Sequence, residues 1–430
     1  MRHKMQSFFK TYRIELVITL ITIPYLVVQT LHGGDFRILL RAGEYLCRGE
    51  SPYGKLMHID EVVWDVFLYS PFVGFIIMPL TKLPEFIPSF AFNLINFLLL
   101  FRIWTIMEDW LSINDFTGKQ KRWWFVLTIF LILRFVLHNF ENNQMNILVM
   151  CFSFEGLYQI FLKGKNSGSV LLALGICLKL LPIVFLPYLV YRKKISALLI
   201  TVSVSAFLFL LPAVWFGVGF EKELLVGWWN AINPALDRYN AGQNAGIMFH
   251  CVTALIPVYF SNCDYQGFSV NFMNLDKQQL FLIINLIRGA MVLLTLYFLW
   301  VGKATKNHKQ IFLFWELSYL FLLIPLIFPN QNKYAYINLL PAYGYIVYYL
   351  INILSQSSLA LKRDKNILLV SLAIVVIFTV LTADIFWGMA IGRYFQFMKL
   401  VTIGTFVIIP MLVYFSPKRL FNTLPYQTTL

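Results

Sequence analysis

Long apolar runs recur along the whole sequence, and they constrain the fold more than any other feature. Each run has about 17 to 25 residues, which is the length that an α-helix needs to cross a hydrocarbon core of ~30 Å. Inside a bilayer only helices and closed barrels satisfy all of their backbone hydrogen bonds. We therefore expect an all-α polytopic membrane protein with about 12 transmembrane helices.

The composition supports a membrane protein. Of the 430 residues, 59% are hydrophobic and only 13% are charged, against roughly 45–50% and about 25% in soluble domains. No soluble segment interrupts the pattern, so residues 1–430 are expected to form a single integral membrane domain. We assign the net charge of +14 to topology signals and to attraction by anionic lipid headgroups, because no nucleic-acid-binding pattern accompanies it.

Basic segments between the apolar runs indicate the orientation, because Lys and Arg stay on the cytoplasmic side during insertion. The N-terminus and four further segments are assigned to the cytoplasm: Tyr191–Lys194, Gly302–Lys309, Leu361–Lys365 and Ser416–Leu420. Segments 32–65 and 218–278 then lie outside, each with an interfacial helix. The basic segments 118–122 and 163–165 do not fit, which leaves open whether one element between residues 87 and 191 spans or is re-entrant. The expected location is the cell (inner) membrane.

The first part of outer segment 32–65, His32–Gly54, carries a cluster of charges. At helical spacing, one face holds Arg37, Arg41, Glu44 and Arg48, and the other holds Phe36, Leu39, Leu40, Gly43 and Leu46. This pattern predicts an interfacial helix whose apolar side rests in lipid and whose arginines face headgroup phosphates. Gly49 can end the helix, and the following "SPYG" predicts a turn. Asp35, at the start, is open to two interpretations: an N-cap, which spacing alone favours, or a functional carboxylate.

Two further features place polar groups within or between apolar runs. The segment Leu137–Asn146 contains more amides and charges than helix capping requires. Lys179 lies within an apolar run, where a charge is costly and marks either a functional site or a side chain that snorkels to the interface. Pro182 follows three residues later and frees a backbone carbonyl, which predicts a broken helix.

Two outer segments combine amides with aromatic residues. Gly227–Gly246 is one, and amides and aromatic rings are the groups that bind sugar hydroxyls and sugar faces. Its Trp228 and Trp229 fit an interfacial aromatic belt equally well. The second, Phe328–Pro341, brings amides, Lys333 and tyrosines to the outer end of a span. The polar clusters therefore converge on one side of the membrane.

The order of these motifs resembles glycosyltransferase family 87, over about Arg13–Pro341. The motifs are "GGDFRILLRAGEYLCRGESPY", "YSPF" with "MPLTKLP", "NNQMNIL", "GICLKLLPIVFLP", "GQNAGI" and "NQNKYAYINLLP". The family comprises polyprenol-phosphate-mannose-dependent mannosyltransferases of the glycosyltransferase C superfamily. The resemblance implies a glycosyltransferase C type helical bundle, a catalytic aspartate that falls on Asp35, and a donor sugar on a polyprenyl phosphate.

The sequence departs from the family pattern in two places. The Gly-Gln-x-x-Asn stretch of the family is "NNQMN" here, which keeps Gln144 but not the glycine. Tyr334 and Ala335 stand where paired histidines often occur, so a role of those histidines either passes to Lys333 or Tyr336 or is absent.

The predicted function is an inverting transfer of a hexose, mannose by resemblance, from a polyprenyl-phosphate donor to an extracytoplasmic glycan or glycolipid acceptor. Asp35 is the predicted base that takes the acceptor proton. Four cationic residues are predicted to bind the donor phosphate: Arg37, Arg41, Lys179 and Lys333. The predicted substrate-binding residues are Asn143, Gln144, Asn146, Asn240, Gln243, Asn244 and Tyr336. We expect no cofactor, and no metal because paired carboxylates at ligand spacing are missing from the sequence.

The alternative class is a multispan transporter or flippase for a lipid-linked sugar. Its support is the pair of acids Glu155 and Glu316 within apolar runs, where ion sites and proton relays often lie. Against it, the two halves of the sequence show no matching pair of Gly/Pro-broken spans. Cys47 and Cys263 both fall in predicted outer segments, where they form a disulfide in an oxidising compartment or stay free thiols.

Overall fold

The structure is a computed structural model that describes residues 13–58, 64–233, 246–302, 309–356 and 362–423. It is 79% helical, which confirms the predicted all-α class. One short antiparallel hairpin pairs β1 (Leu56–His58) with β2 (Trp64–Val66).

The α-helices of the described residues follow one another with short connections. In chain order they are α1 (Arg13–His32), α2 (Asp35–Cys47), α3 (Pro71–Ile77), α4 (Phe86–Trp110), α5 (Gly118–Glu141), α6 (Asn146–Tyr158), α7 (Ser167–Leu178), α8 (Phe185–Tyr191), α9 (Ile195–Leu210), α10 (Ala213–Phe216), α11 (Val218–Ile232), α12 (Val252–Phe260), α13 (Lys277–Gly302), α14 (Lys309–Ile327), α15 (Leu340–Leu354), α16 (Lys362–Val375), α17 (Asp384–Phe397), α18 (Leu400–Tyr414) and α19 (Pro417–Thr423). Short 3₁₀ or π-helical segments adjoin them at Met78–Lys82, Ile113–Asp115, Gln159–Lys163, Leu181–Val184, Lys333–Leu339 and Val376–Val380.

Several of these helices are long and apolar enough to cross a membrane. Among the described residues there are six such segments: Phe86–Trp110, Gly118–Glu141, Ile195–Phe216, Lys277–Val301, Lys309–Ile327 and Lys333–Leu354. A seventh results if Lys362–Val380 and Asp384–Phe397, which meet at 74°, form one bent span. The chain is therefore built as a multi-pass membrane protein.

Shorter apolar helices account for part of the difference from the predicted total of spans. Four of them have 10–17 residues: Pro71–Lys82, Ser167–Leu178, Leu181–Tyr191 and Leu400–Tyr414. Each is shorter than the ~20 residues that cross a 30 Å core without tilt or bilayer thinning. The total of about 12 spans therefore stays a prediction.

The described chain falls into two compact units. The first takes its residues from Met1–Phe101, Leu137–Leu148 and Ser205–Ile232. The second takes its residues from Arg102–Val136, Val149–Val204 and Asn233–Leu430.

In the first unit, α2 confirms the predicted amphipathic helix. All five residues of its predicted apolar face are buried. That face packs on protein, however, and the expectation that it rests in lipid is wrong. A methyl group added at Gly74 of α3 would lie 2.7 Å from the Leu46 side chain, and one at Gly43 would lie 3.3 Å from the backbone nitrogen of Met78. The glycines of α2 and α3 permit this close packing. The apolar face of α2 therefore contacts another helix where lipid was expected.

In the second unit, α14 and α15 form the centre. In the most apolar segment of each of these helices, 89% of the residues are buried. The corresponding fraction for α13 is 17%, so α13 lies at the periphery. Buried indole groups there donate to backbone carbonyls of neighbouring helices: Trp124 to Gly344 at 2.9 Å, and Trp315 to Leu412 at 2.9 Å. These bonds satisfy the polar atom of each large aromatic side chain within an otherwise apolar core.

In the second unit, Gly156 of α6 and Gly168 of α7 lie at a close contact between their helices. A methyl group added at Gly156 would lie 2.6 Å from the carbonyl oxygen of Gly168, and one at Gly168 would lie even closer to the carbonyl of Gly156. Small residues at helix contacts let the backbones come close and gain dispersion contacts, which is the main attraction between helices in lipid.

Replacing Gly156 with alanine is therefore expected to destabilise the protein. Alanine normally favours a helix over glycine by about 0.5–1 kcal/mol, but over-packing against a fixed backbone costs about 1–3 kcal/mol. Thermal unfolding of the purified protein in detergent measures the effect. Gly289→Ala in α13 is the matched control, because nothing lies within 4 Å of a Cβ there. A Gly156→Ala variant as stable as the Gly289→Ala control would contradict the close contact.

Candidate active site

Asp35 is the first residue of α2 and stands one position after the N-cap. The N-cap is Gly34, and no side-chain cap hydrogen bond is formed there. Instead, the Oδ2 atom of Asp35 accepts a short hydrogen bond from Nε2 of Gln144. The geometry thus disfavours the N-cap interpretation. Asp35 still lies in the first turn, where a negative charge interacts favourably with the helix dipole.

Two glycines before Asp35 allow this arrangement. Gly33 and Gly34 have φ values of +80° and +145°, which residues with a side chain rarely adopt. A methyl group at Gly34 would lie 2.7 Å from the backbone carbonyl of Asn142. That carbonyl accepts the backbone N–H of Asp35 at 3.0 Å. The Gly-Gly pair therefore lets the loop that carries Gln144 contact the start of α2.

Asn143 holds the loop and the glycine link together, although it was predicted to bind substrate. It is buried, with φ of +46°, a left-handed conformation that asparagine tolerates better than most residues. Its side-chain amide donates to the carbonyl of Gly33, and its Oδ1 accepts from Nδ2 of Asn93. Asn93 also donates to Thr30 Oγ1 at 3.0 Å. Asn143 is therefore the centre of a hydrogen-bond network that fixes the backbone before Asp35.

Gln144 carries an acceptor atom that no described residue uses. Its side chain is 1% exposed, and its Oε1 has no hydrogen-bond partner among the described residues. Leaving a buried polar atom unpaired costs about 1–3 kcal/mol. The orientation of the amide follows from chemistry, because an oxygen facing the Asp35 carboxylate would be repelled. A hydroxyl-bearing ligand would satisfy this oxygen beside the carboxylate.

The two arginines predicted to bind phosphate are paired with acids. Arg37 forms a close ion pair with Glu85. Arg41 contacts Glu44 at 2.8 Å and Glu85 at 3.9 Å. All four side chains are partly exposed, and such ion pairs contribute about 0–1 kcal/mol. An incoming phosphate could therefore replace the carboxylates at little cost.

Aromatic residues of the first unit surround the segment that leads to α3. The Tyr53 hydroxyl donates to the carbonyl of Tyr69 at 2.8 Å. Burial raises the pKa of the Tyr69 phenol above its ordinary value, and the nearby carboxylates of Asp35 and Asp65 raise it further. The Trp228 indole donates to the Leu68 carbonyl at 3.3 Å. The indole N–H of Trp228 is therefore satisfied by a backbone carbonyl of the same unit.

Lys179 lies at a break in its helix, as the sequence predicted. Helix α7 ends at Leu178, Lys179 is extended, and a 3₁₀ segment begins at Leu181. The Lys179 ammonium lies 5.4 Å from the centroid of the Tyr334 ring. Two separate motifs of the second unit thus meet here, and Lys333 is the residue before Tyr334.

The other predicted substrate-binding residues have different surroundings. Asn146 begins α6, is 2% exposed, and donates to Asn139 at 3.3 Å. Tyr336 is fully buried, and its hydroxyl donates to the His250 carbonyl. In this conformation Tyr336 therefore has a structural role. Three residues lie outside the described ones: Asn240, Gln243 and Asn244.

The acids that supported a transporter are held in ion pairs within the second unit. Glu155 accepts from Arg102 at 2.6 and 2.9 Å, and Glu316 pairs with Arg192. Neither is an isolated membrane carboxylate of the kind that marks an ion path. Cys47 and Cys263 are free thiols. In the described part of the chain, no group of three or more His, Cys, Asp or Glu side chains could hold a metal ion.

Sequence reasoning missed Glu85, Asn93 and Thr30. A signal existed for Asn93, because an amide within an apolar run is costly unless it has a partner or a function. Glu85 had no comparable signal, since an acid just before a span is a common feature of solvent-exposed helix starts.

The sequence model of glycosyltransferase family 87 matches residues 67–329. The matched range includes the Gln144 loop and Lys179, whereas Asp35 precedes it and Lys333 and Tyr336 follow it. No curated protein matches the chain. Because the family match extends over more than half of the 430 residues, the chain belongs to glycosyltransferase family 87.

Proposed function

We propose that this glycosyltransferase moves a hexose, mannose by family resemblance, from a polyprenyl-phosphate donor to a glycan or glycolipid acceptor. The observation that carries the proposal is the pairing of Asp35 with Gln144. A carboxylate on a fixed helix start lies next to a buried acceptor oxygen that no described residue uses. The acceptor hydroxyl needs such a base to take its proton.

In the proposed step, the acceptor oxygen attacks the anomeric carbon while its proton passes to Asp35. The new C–O bond forms on the face opposite the phosphate, so the configuration inverts. The bond between the anomeric carbon and the phosphate oxygen breaks, and its electron pair stays on the polyprenyl phosphate. The Asp35 charge also stabilises the oxocarbenium-like centre between the two bonds. Another hydroxyl of the acceptor molecule would donate a hydrogen bond to Gln144. This bond would hold the attacking oxygen in line with the bond that breaks.

The leaving phosphate needs cations. In the first unit Arg37 and Arg41 supply them, and their weak pairs with Glu85 and Glu44 are exchanged for the phosphate oxygens. A guanidinium matches two phosphate oxygens at once, which favours arginine here.

Within the second unit, Lys179 and Lys333 carry the remaining predicted anion-binding charge. Lys179 is half-buried at the helix break. The contact with the Tyr334 ring keeps its ammonium near the segment that starts with Lys333. A lysine held in this way by a ring face retains its ability to donate hydrogen bonds to an anion.

The proposal includes the architecture and location expected from the sequence. The chain forms a glycosyltransferase C type bundle with about 12 spans in the cell (inner) membrane. The segment with Asp35 faces the side opposite the cytoplasm, because the basic segments stay inside. The two acids that suggested the flippase alternative, Glu155 and Glu316, are each paired with an arginine, which weakens that alternative.

Purified protein reconstituted in liposomes tests the proposal with a radiolabelled polyprenyl-phosphate mannose and added glycolipid acceptors. We expect labelled product in which the acceptor carries the sugar. Movement of the intact donor between leaflets without product would instead identify a carrier.

The variant Asp35→Asn tests the base. Asparagine can still accept the Gln144 hydrogen bond, so stability should match wild type, but it cannot take a proton. We expect a loss of at least ~100-fold in the transfer rate. Asp276→Asn is the matched control, because Asp276 does cap its helix, accepting from the backbone N–H of Gln279 at 2.9 Å. Activity of Asp35→Asn within a few-fold of this control would rule out the catalytic assignment.

The variant Lys179→Met tests anion binding in the second unit. Methionine keeps much of the apolar side chain and removes the charge, so we expect about 100-fold lower kcat/KM for the donor, with unchanged thermal unfolding. Lys194→Met is the control, since the Lys194 ammonium also lies over a ring, 5.9 Å from the Phe161 centroid. If both variants keep near-normal turnover, Lys179 only snorkels to the interface.

A further inference from the structure

An open cavity of about 490 Å³ lies in the second unit, where three helices end. It is bounded by the last turns of α13, by the end of α18 and by the short α19. Its lining combines aromatic, hydroxyl, amide and basic side chains: Tyr297, Val413, Tyr414, Ser416, Lys418, Arg419 and Asn422. No residue of this set takes part in the proposed sugar transfer.

One of the two cations in the cavity wall is already neutralised. Arg419 forms two hydrogen bonds of 2.8 Å to the Asp364 carboxylate. The Tyr414 hydroxyl accepts from Arg419 at 2.8 Å and donates to Asp364 at 3.0 Å. This three-residue network neutralises the Arg419 charge within the wall.

Lys418 is the charge that remains. It is exposed, and no ion pair or hydrogen bond joins it to any described residue. With Arg419 and Asp364 cancelling, the group has one net positive charge. Hydroxyl and amide donors of Ser416 and Asn422 adjoin it, and such donors bind the oxygens of an oxyanion.

The position of the cavity indicates the source of an anion. Helix α18 is apolar over Leu400–Tyr414, and the basic segment Ser416–Leu420 follows directly. An apolar helix that ends in basic residues has its end at headgroup depth. The same segment is assigned to the cytoplasmic side, where anionic phospholipids are attracted to basic pockets between helices.

We propose that this cavity binds the phosphodiester headgroup of an anionic glycerophospholipid. The Lys418 ammonium pairs with the phosphate, the Ser416 and Asn422 side chains donate to its oxygens, and the rings of Tyr297 and Tyr414 contact the glycerol and the first methylenes. Arg419, neutralised by Asp364, lines the wall and does not itself supply the binding charge.

The test follows the unfolding temperature, Tm, of the full chain purified in a neutral detergent as phosphatidylglycerol is added. A ligand that binds only the folded state raises Tm. We expect wild type to gain several degrees with phosphatidylglycerol and not with phosphatidylcholine. Lys418→Gln should lose at least half of that gain. The control Lys193→Gln removes the same charge from an exposed lysine of another predicted cytoplasmic segment and should keep the whole gain.

The remaining outcomes decide against the proposal. An equal gain in wild type and Lys418→Gln would show that the lipid stabilises the protein elsewhere, and an equal gain with phosphatidylcholine would show no headgroup preference. A separate titration uses inorganic phosphate. A gain with phosphate that phosphatidylglycerol does not exceed would identify a site for a free anion and overturn the lipid assignment.

Discussion

The contact between Gln144 and Asp35 depends on a small network of buried amides, and the candidate site depends on that contact. Asn143 bonds to Gly33 and accepts from Asn93, while the carbonyl of Asn142 accepts from the backbone of Asp35. In an apolar environment each unpaired amide would cost about 1–3 kcal/mol, so these groups hold one another in one arrangement. The loop therefore presents Gln144 at a fixed place, and Gln144 positions the carboxylate.

The same requirement explains three buried acids of the second unit and their arginine partners. Glu155, Glu316 and Asp364 each pair with an arginine. Breaking such a pair would leave an uncompensated charge, which is strongly destabilising when it is buried. These three carboxylates therefore have a structural role.

The amino-acid pattern predicted helices and helix breaks more reliably than it predicted which residues contact each other across the fold. The spacing of apolar residues located α2 and its buried face, and Lys179 with Pro182 indicated the break after Leu178. Periodicity reports that a face is apolar but not what contacts it, so the packing of α2 on α3 was mistaken for contact with lipid. The partners of Arg37 and Asn143 are 48 and 50 residues distant in sequence, at Glu85 and Asn93. Such pairings follow from tertiary packing and leave no local pattern.

The central claim is that Asp35 and Gln144 act as one unit in sugar transfer, and a double-mutant cycle tests it most directly. The measurement is kcat/KM for a polyprenyl-phosphate hexose with purified wild type, Asp35→Asn, Gln144→Met and the double variant. Residues that act together are strongly non-additive. We therefore predict that the double variant loses little more activity than Asp35→Asn alone. Losses that multiply across the two positions would contradict the account, because they would show that Gln144 and Asp35 act independently.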